Sequence, residues 1–341
     1  MLSDALASDA VVTLAHQAHR KNRYMARQRW TSKDIPDQTA RVAIVTGGNS
    51  GIGFEAAKVL AEKGATVVVA SRNELRGAAA VQSIQASAQD AKVQLMLLDL
   101  ADLSSVKRFS EQFQQDFGRL DLLINNAGVM MPKTREQTKD GFELQFGTNH
   151  LGHFALTLQL IPLLAATESS RVVNVSSSAQ NFGKLDLDDL NWETRKFDRM
   201  GSYGASKITN MLFTLELQRR LRAAGASCLT TACHPGWTAT NLQQTSPVLR
   251  ALNPLFGMKP WQGALPTLFA ALAPQAEAGK YYGPDGPGGI RGYPTENEPA
   301  TACVDARAAK KLWELSEAFV GIETPQVLAV TAESSEPAPI Q

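Results

Sequence analysis

The chain has 341 residues, of which 44% are hydrophobic and 20% are charged, and its 34 Lys+Arg against 33 Asp+Glu leave a formal net charge of +1. A dedicated nucleic-acid-binding protein normally carries a basic excess, so this balance excludes nucleic acid as an expected partner. The apolar runs fall far short of the roughly 18 residues of a transmembrane helix, and the cysteines form no C-x-x-C pair, so we expect a cytoplasmic protein without a transmembrane segment or a zinc site.

Residues 1–38 form a basic N-terminal extension in which charged and aromatic side chains alternate. The crowded stretch contains Arg20, Lys21, Arg23, Tyr24, Met25, Arg27, Arg29 and Trp30. One interpretation is a basic amphipathic helix that touches a membrane surface or a partner. The other is a solvated extension that packs Trp30 onto the main domain, and we favour it because charge runs are usually solvated faces.

Residues 39–322 alternate short apolar runs with longer segments of helical periodicity. The runs are 42–45, 66–70, 93–98, 120–124, 172–175 and 229–233. One helix is expected to begin after Asp102 and to stop at Gly118, with apolar residues three or four apart between them. This alternation predicts a doubly wound parallel sheet, a Rossmann fold of the α/β class, in a single domain. The proline-rich, polar residues 323–341 predict a flexible tail.

A glycine-rich turn, T-G-G-N-S-G-I-G at 46–53, follows the first predicted strand and precedes a helix. Its glycines allow a tight turn and a close approach of the backbone to a phosphate, and the helix N-terminus favours the negative charge. The G-x-x-x-G-x-G spacing differs from the common G-x-G-x-x-G pattern of dinucleotide sites. The expected pyrophosphate-binding residues are Gly47, Asn49, Ser50, Gly51, Ile52 and Gly53.

The second predicted strand ends at Arg72, followed by Asn73, where an NAD-binding fold would place a carboxylate for the ribose 2′-hydroxyl. A guanidinium suits a 2′-phosphate instead, so Arg72 favours NADP(H), although an ordinary exposed arginine is the other interpretation. Asp99 ends the third run, beside Leu100. It either accepts a hydrogen bond from the adenine or caps the next helix.

Four motifs follow one another along the chain: the turn at 46–53, N-N-A-G at 125–128, Y-G-A-S-K at 203–207 and H-P-G at 234–236. Their order and approximate spacing resemble those of the motifs of the short-chain dehydrogenase/reductase family, and the resemblance covers residues 40–320. The stretch 147–154 resembles its retinol-dehydrogenase-like branch, which light-dependent protochlorophyllide reductases share. The resemblance implies an oxidoreductase whose cofactor touches Asn126, Ala127, Gly128, Tyr203, Lys207, Pro235, Gly236, Trp237, Thr238 and Thr240.

Tyr203 and Lys207 are four residues apart, so they share one face of a helix. A nearby ammonium favours the phenolate, and a phenol brought towards neutral pKa can donate a proton to a carbonyl oxygen or remove it from an alcohol. The resemblance implies that Ser177, rather than Ser176 or Ser178, binds the substrate oxygen. It also implies that Asn149 holds a water that links Lys207 to solvent. An insert at 185–199 separates the serine from the tyrosine.

Two groups of side chains resemble metal sites. His150 and His153 flank Asn149, and three carboxylates, Asp186, Asp188 and Asp189, lie in the insert. Two histidines without a third ligand are more often packing residues, and acidic loops are usually solvated, so no metal is expected.

An apolar stretch between Leu242 and Trp261 is broken by prolines and a glycine, which predicts a lid of short helices within a substrate-covering segment at 240–300. Its apolar side covers a small-molecule lipophilic carbonyl or alcohol, or it packs on the core or on a second subunit of a homo-oligomer. We expect hydride transfer between NADP(H) and that substrate. The alternatives are carbon–carbon double-bond reduction of the protochlorophyllide type and a catalytically silent NADP-binding sensor.

Overall fold

The computed structural model describes residues 29–88, 90–239, 253 and 257–328. Several sequence predictions lie outside the described residues. They concern the basic stretch up to Arg27, Thr240, most of the expected lid and the tail beyond residue 328.

Within these ranges one sheet of eight strands runs through the protein. The strands are β1 (Val42–Thr46), β2 (Thr66–Ser71), β3 (Val93–Leu97), β4 (Leu122–Asn125), β5 (Arg171–Val175), β6 (Leu229–Cys233), β7 (Tyr281–Pro284) and β8 (Pro294–Glu296). Their order is β3-β2-β1-β4-β5-β6-β7-β8, and every pair is parallel except β7 with β8. The predicted doubly wound fold is confirmed. The β7–β8 pair was not predicted, because short strands that contain glycine and proline lack an apolar run.

Helices cover both faces of the sheet, as the alternation predicts. They are α1 (Gly51–Glu62), α2 (Glu74–Ser87), α3 (Leu103–Asp116), α4 (Gly152–Ala166), α5 (Arg199–Ala223), α6 (Pro260–Leu272) and α7 (Ala306–Val320). Apolar side chains of α1, α2 and α6 form one core with the sheet, and those of α3, α4 and α5 form another. No helix in the described part of the chain is long and apolar enough to cross a bilayer.

Both expected domain boundaries fall inside packed structure. The indole of Trp30 is buried and meets the ring of Phe269 edge-on, with 5.3 Å between centroids, which agrees with the packing interpretation of the N-terminal extension. At the other end Leu328 is fully buried, and the indole of Trp313 donates to Thr324 Oγ1 at 2.8 Å. Residues up to 328 thus still pack on the core, within the segment 323–341 that is expected to form the tail.

The strand order creates the crevice in which a site can form. β1 lies beside β4, and the chain leaves β1 towards β2 on one side and β4 towards β5 on the other. Ligands of doubly wound folds bind outside the carboxyl ends of strands at such a reversal. Thr46 and Asn125, which end β1 and β4, lie at this edge.

Candidate active site

The turn after β1 has a backbone suited to a pyrophosphate. Gly47 and Gly51 have φ angles of 66° and 58°, a left-handed region that favours glycine. A Cβ added to Gly53 would lie 2.6 Å from the Gly47 carbonyl oxygen, so only glycine lets α1 start this close to the turn. Ser50 is the N-cap of α1, yet its side chain makes no capping hydrogen bond. The first N–H groups of α1 are thus left for an anion, which fits a dinucleotide.

The ends of β2 and β3 border the same crevice. Arg72 is exposed directly after β2, and the Asn73 side chain caps α2 by accepting the Arg76 N–H at 2.9 Å. Asp99 Oδ1 accepts the Ala101 N–H at 3.0 Å. The N-cap of α3 is Asp102 and not Asp99, so the capping alternative for Asp99 is wrong.

The N-A-G turn after β4 is bound to the end of β1 through Thr46. The hydroxyl oxygen of Thr46 accepts the N–H groups of Asn126 at 2.8 Å and Ala127 at 2.9 Å, and Asn126 Nδ2 donates to the Thr46 carbonyl at 2.8 Å. Next in the turn, a Cβ on Gly128 would lie 3.0 Å from Asn149 Oδ1 and 3.7 Å from Lys207 Nζ. The fold therefore joins the expected cofactor turn to the expected catalytic residues.

Tyr203 and Lys207 are both buried on one face of α5. The Lys207 Nζ atom lies 5.6 Å from the centre of the Tyr203 ring and donates to the Val175 carbonyl at 3.0 Å. The Ser177 hydroxyl lies close enough to the Tyr203 phenol to act on its pKa. The neighbouring Ser176 turns away, since its hydroxyl donates to the Lys207 carbonyl at 2.9 Å.

Ser178 is exposed, so Ser177 is the member of the serine run that the structure brings to the tyrosine. Ser177 opens a 3-10 turn, Ser178–Phe182, which packs against α5. A Cβ on Gly204 would lie 2.6 Å from Gly183 Cα, so a glycine beside Tyr203 permits this approach.

Acidic residues of the insert at 185–199 bind groups within the insert and on α7. Asp189 accepts the Glu193 N–H at 2.7 Å and the Thr194 hydroxyl at 2.8 Å, and Asp188 pairs with Lys311 at 2.6 Å. Among the described residues no group of three or more His, Cys, Asp or Glu side chains is arranged to hold a metal ion.

Asn149 lies in a π-helical turn, Gly147–Leu151, that leads into α4. Its side chain accepts the Val129 N–H at 2.8 Å and donates to the Val129 carbonyl at 3.0 Å and to Ser206 Oγ at 2.9 Å. Asn149 thereby ties the loop after the N-A-G turn to the helix that carries Tyr203 and Lys207.

Burial moves the pKa values of the pair differently from the sequence expectation. It raises the pKa of Tyr203 to about 12, against the smaller opposing effect of the Ser177 hydroxyl, and it lowers the pKa of Lys207 to about 8. Loss of hydration penalises the phenolate and the ammonium alike. In the protein alone Tyr203 is therefore a protonated phenol, not one poised near neutrality.

The segment after β6 contains Pro235, Gly236, Trp237 and Thr238 and is held by one long-range and one local hydrogen bond. The Trp237 N–H donates to the Ile290 carbonyl at 2.8 Å, and the Thr238 hydroxyl donates to the Pro235 carbonyl at 2.8 Å.

Sequence reasoning missed two residues that support this segment. The Gly236 N–H donates to His234 Nδ1 at 3.3 Å, so Nε2 carries the ring proton and the amide oxygen of Asn297 accepts from it at 3.0 Å. His234 was visible as part of the H-P-G motif. Asn297 follows β8 and had no signal in the sequence.

Comparisons with known proteins agree with this arrangement. Residues 41–248 match the family model described as short chain dehydrogenase. Retinol dehydrogenase 13 of Homo sapiens is 38% identical over 304 residues, which are 86% of this chain and 87% of that protein. The crystal structure of an uncharacterised protein from Mycobacterium paratuberculosis has a TM-score of 0.75 at 41% identity, covering 87% of this chain and 100% of the other. A 3-ketoacyl-(acyl-carrier-protein) reductase from Brucella melitensis, complexed with NADH, has a TM-score of 0.57 at 26% identity, covering 71% and 96%.

Proposed function

This chain belongs to the short chain dehydrogenase family, in its retinol-dehydrogenase-like branch, and we propose that it is an NADP(H)-dependent oxidoreductase of lipophilic carbonyl compounds and the corresponding alcohols. Membership of the family makes it a hydride-transfer oxidoreductase that acts on small molecules with a nicotinamide cofactor. The observation that carries the proposal is the meeting of Ser177, Tyr203 and Lys207 beside the N-A-G turn. A silent sensor would not need this set. A cytoplasmic location stays a prediction.

We assign the catalytic steps to four side chains. A bound NADPH supplies the hydride. The Ser177 hydroxyl orients the carbonyl oxygen of the substrate, and the protonated Tyr203 phenol donates its proton to that oxygen as it gains negative charge. The buried Lys207 ammonium stabilises the resulting phenolate, and Asn149 holds the loop and helix in place around it. Because Tyr203 is protonated in the protein alone, its phenol can donate the proton that carbonyl reduction requires.

Two features support a lipophilic substrate. The names of the retinol dehydrogenases say that those relatives act on retinol, which is a lipophilic alcohol. Two segments of the candidate site also expose large apolar side chains. Phe182, in the turn that Ser177 opens, is 67% exposed, and Ile290, whose carbonyl holds Trp237, is 39% exposed.

The decisive experiment is a substrate panel with NADPH. We expect kcat/KM for a homologous series of straight-chain aldehydes to rise a few-fold per added methylene, about 0.8 kcal/mol each, until the pocket is filled. Matched polar aldehydes are the control. A flat series would contradict the lipophilic substrate. Reduction of the double bond of a conjugated enone, with its carbonyl untouched, would favour the protochlorophyllide-type alternative, and no turnover of any compound would favour the sensor.

Removal of the Ser177 hydroxyl should reduce turnover more than removal of either neighbouring hydroxyl. We expect Ser177→Ala to lower kcat about tenfold or more, because the substrate oxygen loses one hydrogen bond of about 1.5 kcal/mol. Ser178→Ala is the matched control and should leave kcat within about twofold, since Ser178 is exposed. Steady-state kinetics checks both variants, and the reverse ranking would move the substrate-binding role to Ser178.

The pH dependence of reduction should report Lys207. Burial lowers the Lys207 pKa to about 8, so the ammonium is charged below that pH and neutral above it. We expect kcat/KM for reduction to fall roughly tenfold per pH unit above about 8, because a neutral amine does not stabilise the phenolate. The pKa of Tyr203, about 12, is too high for ionisation of the phenol to cause this fall in kcat/KM. Lys207→Arg keeps the positive charge at high pH, so the fall of kcat/KM above about pH 8 should disappear in this variant. If kcat/KM of Lys207→Arg still falls above about pH 8, ionisation of a group other than Lys207 causes the fall.

A further inference from the structure

A completely buried histidine connects the two halves of the site. The ring of His153, at the start of α4, has Nδ1 3.0 Å from the Asn149 carbonyl oxygen and Nε2 2.9 Å from Thr46 Oγ1. A carbonyl oxygen only accepts, so the ring proton is on Nδ1. Burial lowers the pKa of His153 to about 4, and the Lys207 charge acts in the same direction, so the ring is neutral. Its Nε2 is then an acceptor for the Thr46 hydroxyl.

The two hydrogen-bond partners of the His153 ring lie on opposite sides of the site, Thr46 on the cofactor side and Asn149 on the catalytic side. Thr46 Oγ1 accepts the N–H groups of Asn126 and Ala127 at 2.8 and 2.9 Å, so it fixes the N-A-G turn on the cofactor side. On the catalytic side Asn149 Nδ2 donates to Ser206 Oγ at 2.9 Å. The Ser206 hydroxyl in turn donates to the Tyr203 carbonyl at 2.7 Å. One line of hydrogen bonds thus runs from the N-A-G turn through the imidazole to the catalytic helix.

The second buried histidine of the same segment lacks these connections. His150 packs against the rings of Phe146, Phe154 and Phe213, and its Nε2 lies 2.9 Å from Ser316 Oγ on α7. Within the described residues its Nδ1 has no hydrogen-bond partner. His150 is therefore a packing residue and a matched reference for His153.

We propose that His153 is a positioning residue of the hydride-transfer reaction, whose neutral Nδ1–H ring holds the Asn149 turn against Thr46 and so keeps Tyr203 and Lys207 aligned with the cofactor turn. The proposal rests on the proposed function for its effect on turnover. The line of hydrogen bonds itself is independent of the substrate, because each partner belongs to the chain.

The kinetic test compares three variants. His153→Phe keeps a ring but removes both hydrogen bonds, and we expect kcat to fall about 10- to 100-fold, the cost of a small misplacement of reacting groups. His153→Asn carries an amide N–H close to the position of Nδ1 but no acceptor near Nε2, so it restores only the hydrogen bond to Asn149 and should recover part of that loss. The reference His150→Phe should lower thermal stability yet keep kcat within about threefold. Equal losses of kcat in His153→Phe and His150→Phe, or no recovery in His153→Asn, would overturn the positioning role.

A second measurement needs neither cofactor nor substrate. In ¹⁵N-histidine-labelled protein we expect one ring, absent from the His153→Asn spectrum, to stay neutral with its proton on Nδ1 between about pH 5 and 8. A proton on Nε2, or titration of this ring near its ordinary pKa, would overturn the proposal even in an active enzyme. If the protein reduces no carbonyl while the Nδ1–H ring is observed, the proposed function fails and the positioning role fails with it, but the hydrogen-bond geometry stands.

Discussion

Tyr203→Phe is expected to lower kcat for carbonyl reduction at least about a hundredfold, the low end of the loss when a general acid is removed. The phenylalanine ring fills the same buried space, so the fold and NADPH binding should persist. Only the hydroxyl that lies near Ser177 and donates the proton disappears. Single-turnover kinetics with NADPH, together with the Kd of NADPH from fluorescence, separates loss of chemistry from loss of binding.

Tyr282→Phe is the matched control for this variant. Tyr282 is also a buried tyrosine, but its hydroxyl accepts the Glu277 N–H at 2.8 Å, far along the chain from the serine run. We expect kcat of this control to stay within about threefold, since one neutral hydrogen bond is lost outside the site. Turnover retained in Tyr203→Phe would remove the tyrosine from the proposed mechanism, whatever the control does.

Arg72 is expected to give NADPH a roughly 10- to 150-fold advantage over NADH in kcat/KM, from charge-assisted hydrogen bonds of about 1.5 to 3 kcal/mol to the 2′-phosphate. Arg72 is exposed and directly follows β2 at the edge of the crevice. This position supports contact with the 2′-phosphate. Arg72→Ala should remove most of the preference by weakening NADPH while leaving NADH nearly unchanged. Measuring kcat/KM with both cofactors for both proteins tests the expectation.

Arg222→Ala controls for the loss of one positive charge, because Arg222 is exposed near the end of α5 and lies at the other end of that helix from Tyr203. Its cofactor preference should equal that of the unmodified protein. Equal values for NADPH and NADH before any substitution, or a preference for NADH, would contradict NADP(H) as the cofactor. The reaction chemistry assigned to Tyr203 would be untouched by that result.

The order of the elements can be predicted from the sequence, together with the chemistry that their motifs suggest. Short runs such as 66–70 predict buried parallel strands because no polar face interrupts them. Glycines between the first strand and a helix predict a phosphate turn, and the spacing of Tyr203 and Lys207 predicts a shared helix face. These features are local, since a few neighbouring residues set the backbone conformation.

Which side chains meet, and in which protonation state, depends on the tertiary structure. The choice of Ser177 over Ser176 depends on how the 3-10 turn packs on α5, and the link from His153 to Thr46 joins residues 107 positions apart. The pKa of Tyr203 is raised, not lowered, because burial around the phenol outweighs the effect of the Ser177 hydroxyl. Such contacts, and the loss of hydration that accompanies them, form when distant segments of the chain pack together. The spacing of residues along the chain predicts neither of them.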